Sequence, residues 1–285
     1  MGKRLHIDFH IHLALKELEA IYESAKDSGK KLPIPRKSFQ VLSVDDLIAD
    51  LDLATIDIGV FQADGRPDKE VSLDSLIPTA LEALGRYAFL FIFFAGVGLF
   101  PFAQEGEKGI PPSLSLMEQF NIRGLKIIPS REERYPNDPF WYPLYEALSC
   151  SKHVILFHTG QTFFPQAKLK YNHPLALDEV AVDFPTVSMV MAHFGFPWFL
   201  DALSIARRHP NVFVDISALS LGALELMPWK LIESSIQNKV LFGSDYPMYR
   251  PSEAVTLLDH LPIESETKEK ILGGNACQIL EQQSK

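Results

Sequence analysis

The stretch His153-Val154-Ile155-Leu156-Phe157-His158 is a short apolar run that is followed directly by a histidine. A run of this length and composition is typical of a buried strand in a parallel sheet. Similar runs recur from one end of the chain to the other and predict eight strands. Their predicted bounds are residues 5–9, 56–61, 89–94, 124–128, 153–157, 187–192, 212–216 and 240–242.

Helical segments are predicted between these strands. Ser43-Val44-Asp45-Asp46 resembles a capping box that opens a helix to residue 55. Pro139 suits the first turn of a helix over residues 139–148, and a helix over residues 198–208 is closed by His209-Pro210. Strands that alternate with helices favour an α/β protein built as a (β/α)₈ TIM barrel, one domain over residues 1–285, with an open doubly wound sheet as the alternative.

Composition excludes several classes of protein. The chain has 285 residues with 27 Lys+Arg against 36 Asp+Glu, so its net charge of −9 gives no basic surface for nucleic acid. Cys150 and Cys277 form no disulfide framework or thiolate metal site. No export or lipid signal is visible, and the uncharged segment 87–103 is too short and too rich in glycine and proline for a membrane span. We therefore expect a cytoplasmic protein.

Polar residues that could carry chemistry follow several of the predicted strands. His10 and His12 come after the first strand, and the strand period of two would place them on one side. His158, His193 and Asp245 stand just beyond the fifth, sixth and eighth strands. In a barrel these ends meet on one face, where a divalent cation could share imidazole and carboxylate ligands. The alternative is a set of unrelated structural histidines.

Four motifs resemble the amidohydrolase superfamily, specifically its amidohydrolase-related branch (amidohydrolase 2) of metal-dependent TIM-barrel hydrolases. That branch also contains enzymes like aminocarboxymuconate-semialdehyde decarboxylase. The motifs are Ile7-Asp8-Phe9-His10-Ile11-His12, Leu156-Phe157-His158-Thr159-Gly160, Met191-Ala192-His193-Phe194-Gly195 and Leu241-Phe242-Gly243-Ser244-Asp245-Tyr246-Pro247. Their order covers almost the whole chain and is far more specific than any one motif.

The resemblance implies a role for each of five residues. His10, His12, His158 and Asp245 match the positions that bind one catalytic divalent metal, and His193 matches a histidine that assists catalysis. Asp245 would also move a proton during the reaction. Zinc is the expected metal for nitrogen and oxygen ligands, with manganese, iron, cobalt and nickel left open.

Further candidates would contact the substrate. Lys126 matches a lysine that is carboxylated and bridges two metals in binuclear members, and in the single-metal case that we favour it would be a cation facing an anionic group. Tyr246, Arg250 and Trp141 are the other candidate substrate contacts, because they lie near the predicted carboxyl ends of strands. Packing is the simpler interpretation of Trp141.

Three functions remain open at this stage. The leading hypothesis is a hydrolase that cleaves a small carboxylate-bearing ester, lactone or amide with metal-activated water. A non-oxidative decarboxylase on the same metal site is the first alternative, and a catalytically inactive binding barrel is the second. The expected partner is a small carboxylate substrate, with no nucleic acid and no membrane, and the resemblance implies a homodimer.

Overall fold

The computed structural model of the chain describes residues 4–19, 41–63 and 71–281, and its centre is one parallel sheet of eight strands. Neighbours in the sheet follow the order of the chain, from the first strand to the eighth. The strands are β1 (Ile7–His12), β2 (Ile58–Ala63), β3 (Phe91–Gly96), β4 (Ile122–Ile127), β5 (Val154–Phe157), β6 (Ser188–Met191), β7 (Val212–Asp215) and β8 (Val240–Leu241).

Hydrogen bonds close the sheet into a barrel between its two ends. The backbone N–H of Phe9 donates to the carbonyl of Phe242 at 2.9 Å, and that of His12 donates to Tyr246 at 2.8 Å. The N–H of Asp245 donates to the carbonyl of His10 at 2.8 Å. The first strand therefore pairs with the segment that follows the eighth, which confirms the predicted TIM barrel and excludes the open doubly wound sheet.

Each strand is followed by a helix of eight or more residues in the described part of the chain. These helices are α1 (Val44–Leu53), α2 (Leu73–Leu84), α3 (Ile110–Gln119), α4 (Tyr142–Ser149), α5 (Ala176–Asp183), α6 (Phe199–Arg208), α7 (Trp229–Ile236) and α8 (Pro251–Asp259). Short helical segments occupy the connections: Lys16–Leu18, Gly85–Leu90, Val97–Leu99, Phe102–Glu105, Gly106–Gly109, Pro129–Glu132, Pro139–Trp141, Leu169–Asn172, Ala192–Gly195 and Leu221–Glu225. Three more follow α8: Ser265–Glu269, Lys270–Gly274 and Asn275–Glu281.

The predicted helix signals act largely as expected. Ser43 caps α1, since its hydroxyl accepts a hydrogen bond from the backbone N–H of Asp46 at 3.2 Å. Pro139 starts a 3₁₀ turn that precedes α4 rather than the α-helix itself, because Asp138 caps that turn through the N–H of Phe140. Residues 20–40, between the first strand and α1, lie outside the described residues.

The core has two layers, one inside the barrel and one between the barrel and the helices. The inner layer takes alternate residues of the strands, such as Val154 and Leu156 of β5, while Ile155 and Phe157 pack in the outer layer. Ile7 and Phe9 of β1 also pack inside, but Ile11 packs outside. The register between β1 and β2 shifts between Asp8 and Ile11, so the face that points inward changes within β1.

The amino-terminal end of the barrel is closed by the helix Asn275–Glu281. Its Ile279 is fully buried in the inner core layer with Ile7 and Leu241. The side-chain amide of Asn275 donates to the carbonyl of Val240 at 2.7 Å and fixes the helix against the start of β8. Within residues 4–19, 41–63 and 71–281, no helix has both the length and the apolar character that a membrane crossing requires.

Candidate metal centre

Three of the predicted ligands converge at the carboxyl ends of β1 and β8. The Nε2 atoms of His10 and His12 each lie 3.1 Å from Oδ1 of Asp245, and one ligand atom from each residue falls within 4.8 Å of the others. His10 is fully buried, whereas 25% of the His12 side chain is exposed. The cluster is therefore closed towards the barrel and open on the side of His12.

The nitrogen that His10 presents to this cluster carries a lone pair. Its other ring nitrogen, Nδ1, lies 2.9 Å from Oδ2 of Asp215, and a carboxylate accepts hydrogen bonds, so Nδ1 carries the hydrogen. Nε2 accepts a hydrogen bond from Nζ of Lys126 at 3.0 Å. Burial and the charge of Lys126 lower the pKa of His10 to about 4, so the ring is neutral at pH 7. A lone pair that faces a carboxylate oxygen suits a shared cation.

Asp245 is the anionic member of the cluster. Burial opposes its ionisation, but the interactions with the rings of His10 and His12 outweigh burial and hold its pKa below the usual range. A carboxylate and two imidazoles form a donor set that zinc, manganese and iron all accept. The donor chemistry of His10, His12 and Asp245 therefore fits a divalent metal.

His158 and His193 form a second pair beside this cluster. Nε2 of His193 lies 3.1 Å from Nδ1 of His158, and the ring of His193 stacks on His10 with centroids 5.2 Å apart. Burial lowers the pKa of both, with a further effect of the charge of His193 on His158. Among the described residues, the groups whose ligand atoms lie within 4.8 Å of one another do not include His158. Its imidazole contacts His193 and the carbonyl of Gln161 at 3.1 Å instead.

The backbone around the cluster is strained. Asp245, His193 and Ala218 have φ values of 57°, 59° and 59°, a left-handed conformation that costs a residue with a side chain about 1–2 kcal/mol. All three stand just after a strand, at the same end of the barrel. Gly243 allows β8 to approach β1, because a Cβ there would lie 2.7 Å from Cβ of His10. Strain of this kind is found at functional sites, where packing enforces it.

Two residues that the sequence analysis did not select belong to the same region. Asp215, at the end of β7, is fully buried and contacts His10, and Ser217 follows it with its hydroxyl 2.9 Å from Nδ1 of His193. The signal for Asp215 was present, since it is a polar residue at the carboxyl end of an apolar run. The prediction of a strand over residues 212–216 placed it within the strand instead of at its end.

The four candidate substrate contacts lie in different environments. Lys126 lies in β4 and reaches His10. The hydroxyl of Tyr246 accepts a hydrogen bond from the N–H of Leu42, and the side chain is fully buried. Nε of Arg250 lies 3.1 Å from Oδ1 of Asp50, a buried residue of α1. Trp141 is 1% exposed and packs on the rings of Phe102 and Phe140.

The fold and the cluster define a TIM-barrel protein with imidazole and carboxylate groups gathered at the carboxyl ends of its strands. The chain belongs to the Amidohydrolase family, whose model matches residues 7–281. No curated protein matches the chain.

Solved structures with the same fold extend over nearly the whole chain. An uncharacterized TIM-barrel protein from Bordetella bronchiseptica is 22% identical, with 98% of this chain and 99% of that chain covered and a TM-score of 0.75. The 5-carboxyvanillate decarboxylase of Sphingomonas paucimobilis is 16% identical, with 98% and 99% covered and a TM-score of 0.70. The dihydroxybenzoic acid decarboxylase of Polaromonas sp. JS666 is 14% identical, with 98% and 97% covered and a TM-score of 0.70.

Proposed function

We propose that the protein is a metal-dependent hydrolase that cleaves a small carboxylate-bearing ester, lactone or amide. The observation that carries this proposal is the convergence of His10, His12 and Asp245 on one open cluster beside the pair His158 and His193. Membership of the Amidohydrolase family supports it. The proposal thus has two parts, a cluster that would bind a cation and a histidine, His193, that would act on the substrate.

His10, His12 and Asp245 would hold one divalent cation, with His158 as a further ligand. Zinc suits this donor set, and manganese is a second candidate because the Polaromonas decarboxylase was solved with bound manganese. When bound, such a cation supplies Lewis acidity to an oxygen atom of the substrate or of water. Hydrolysis also requires a proton acceptor and a group that stabilises negative charge, and this chain provides candidates for both.

Asp245 is the proposed proton acceptor, since its carboxylate lies at the open side of the cluster. His193 is the proposed partner of the substrate oxygen. Its Nδ1 faces the carbonyl of Ser217 at 3.1 Å and therefore carries a hydrogen, so Nε2 is the nitrogen available on the side of His158. The ammonium group of Lys126 supplies a buried positive charge that suits the carboxylate of a substrate.

The test combines metal loading with an assay of the hydrolysis products. Purified protein is stripped of metal, reloaded with Zn²⁺ or Mn²⁺ and incubated with carboxylate-bearing esters, lactones and amides. Metal-dependent release of the hydrolysis products is the expected result, and His12→Ala should abolish it. Turnover that is equal with and without metal would contradict the proposal.

A decarboxylase is the second candidate, and the likeness to two decarboxylases favours it. Both of those proteins act on aromatic carboxylic acids according to their names. In this case His193 would serve the reacting carbon and Lys126 the carboxylate that is lost. Carbon dioxide release from hydroxybenzoic acids, without hydrolysis of any ester or lactone, would favour this candidate. Metal binding with neither activity would favour a binding barrel.

A further inference from the structure

His10 lies between two groups of polar atoms, one on each of its ring nitrogens. On the side of Nε2 are Asp245 and Lys126, and on the side of Nδ1 are Asp215 and Ser217. Asp215 and Ser217 are fully buried. The side of Nδ1 is therefore closed to solvent, in contrast to the cluster around Asp245.

Both carboxylate oxygens of Asp215 accept hydrogen bonds. Oδ2 accepts from Nδ1 of His10 at 2.9 Å, and Oδ1 accepts from the N–H of His193 at 2.8 Å. Oδ1 also accepts from the N–H of Ser217 at 3.0 Å and from its hydroxyl at 2.5 Å. Oδ1 thus accepts from three donors and Oδ2 from one, so each oxygen of Asp215 is held by its own set of groups.

Ser217 extends this arrangement to His193. Because the hydroxyl hydrogen of Ser217 is directed to Asp215, its oxygen is left to accept from Nδ1 of His193, 2.9 Å away. The same oxygen lies 3.0 Å from Nδ1 of His10. The hydroxyl of Ser217 thus lies beside Nδ1 of both histidines, while Asp215 accepts from Nδ1 of His10 and from the backbone N–H of His193.

We propose that Asp215 and Ser217 are positioning residues that fix the tautomer and ring orientation of His10 and His193, so that both rings present Nε2 to the site. This inference rests on the proposed metal site. A carboxylate on the second nitrogen of a ligating histidine raises its basicity and restricts its rotation. Asp215 acts through His10 and is not a ligand.

A direct ligand role for Asp215 conflicts with this geometry. Ligand atoms of His10, His193 and Asp215 also lie within 4.8 Å of one another, which is compatible with a metal by distance alone. A neutral imidazole has one lone pair, however, and His10 already offers it on Nε2. A metal bound between His10 and Asp215 would have to replace the hydrogen on Nδ1 that Oδ2 of Asp215 accepts.

The test measures metal affinity in a set of variants by competition with a chromogenic Zn²⁺ chelator. In Asp215→Asn an amide NH₂ replaces one acceptor oxygen and faces donors, so the Zn²⁺ dissociation constant should rise about 10- to 100-fold. In Ser217→Ala one hydrogen bond is lost, and a rise of about fivefold is expected.

Asp178→Asn is the matched control. Oδ1 of Asp178 lies 2.7 Å from Nε2 of His209. His209 stands three residues before β7 begins and is therefore at the end of the barrel opposite to the candidate metal site. This variant breaks a contact of the same kind and should leave the dissociation constant within about twofold of wild type.

His12→Ala separates this inference from the proposed function. If His12→Ala loses Zn²⁺ while Asp215→Asn keeps wild-type affinity, Asp215 does not position His10 and the metal site stands. Loss of Zn²⁺ from Asp215→Asn as complete as from His12→Ala would make Asp215 a ligand and overturn the inference. A wild-type protein without Zn²⁺ affinity would overturn both.

A second measurement does not depend on the folding of a variant. In metal-free wild-type protein with ¹⁵N-labelled histidine, NMR reports which ring nitrogen carries the hydrogen. The inference requires the hydrogen of His10 and of His193 on Nδ1. A hydrogen on Nε2 of His10 would overturn it, and Ser217→Ala should increase exchange between the two tautomers of His193.

Discussion

The two ends of the barrel contain similar groups in different surroundings. At the carboxyl end, the pair His10 and Asp215 is fully buried among other polar side chains, and nearby residues have left-handed backbone conformations. At the amino-terminal end, His209 pairs with Asp178, a quarter of whose side chain is exposed, and the helix that contains Ile279 closes the interior with apolar residues. The same type of histidine–aspartate contact thus lies inside the candidate site at one end and at the edge of an apolar core at the other.

This difference follows from what each end can stabilise. Unpaired buried polar groups cost several kcal/mol, so the carboxyl end requires a hydrogen-bond network to offset that cost, and the proposed cation would contribute to it. The amino-terminal end buries apolar area and supplies folding free energy directly. Substitutions at the two ends should therefore separate activity from stability.

The largest effect is expected at the carboxyl end. Asp245→Asn removes the anionic ligand and the proposed proton acceptor, so we expect kcat/KM to fall at least about 1000-fold. The variant should remain folded, because the loss of a buried charge does not create a cavity. Steady-state kinetics and circular dichroism check this prediction. Retention of a tenth or more of the wild-type activity would show that Asp245 is not essential.

The second effect is expected at the amino-terminal end. Ile279→Ala leaves a cavity in the inner core layer and should lower the free energy of unfolding by about 2–5 kcal/mol. The metal dissociation constant of the folded protein should not change, since the site lies at the other end. Urea unfolding and chelator competition provide the two values. A loss of metal affinity without a loss of stability would contradict the separation of the two ends.

The third effect concerns the buried cation beside His10. Lys126→Met removes a charge that donates to Nε2 of His10, so metal binding should become tighter. KM for a carboxylate-bearing substrate should rise about 10- to 100-fold, because a charged hydrogen bond is worth about 1.5–3 kcal/mol. The two quantities should therefore move in opposite directions. A KM equal to that of wild type would remove Lys126 from the substrate site.

The smallest effect is expected for the contact between Asp178 and His209 at the amino-terminal end of the barrel. Asp178→Asn should lower the free energy of unfolding by about 1 kcal/mol or less, because part of the pair is exposed to solvent. Activity should not change. Thermal unfolding and activity are measured for both Asp178→Asn and Asp215→Asn, which sharpens the comparison of the two ends of the barrel. Equal changes in activity for the two variants would contradict the difference between the ends.

The sequence predicts the fold well because apolar runs recur eight times with helical segments between them. It predicts all eight strands, but it places the end of the first at residue 9, whereas β1 continues to His12. Alternation with Ile7 and Phe9 inside would point His10 outwards. The register shift within β1 reverses that, and it depends on pairing with β2, which no local pattern encodes.

The candidate site was predictable only in part, because some of its contacts also depend on how the strands and helices pack. His10, His12 and Asp245 follow from their positions at strand ends and from the family motifs, and the structure brings them together. A prediction of Asp215 as a site residue would have required the exact position at which β7 ends. The contact of Arg250 with Asp50 required the packing of α8 against α1, which the sequence does not specify.

The most direct test of the central claim is the metal content of the protein, measured by elemental analysis after reconstitution with Zn²⁺ or Mn²⁺ and removal of excess metal. The account predicts one equivalent per chain in wild type and almost none in His12→Ala. Two equivalents would contradict the single-metal site and indicate carboxylated Lys126 as a bridge. No bound metal in wild type would contradict the account as a whole.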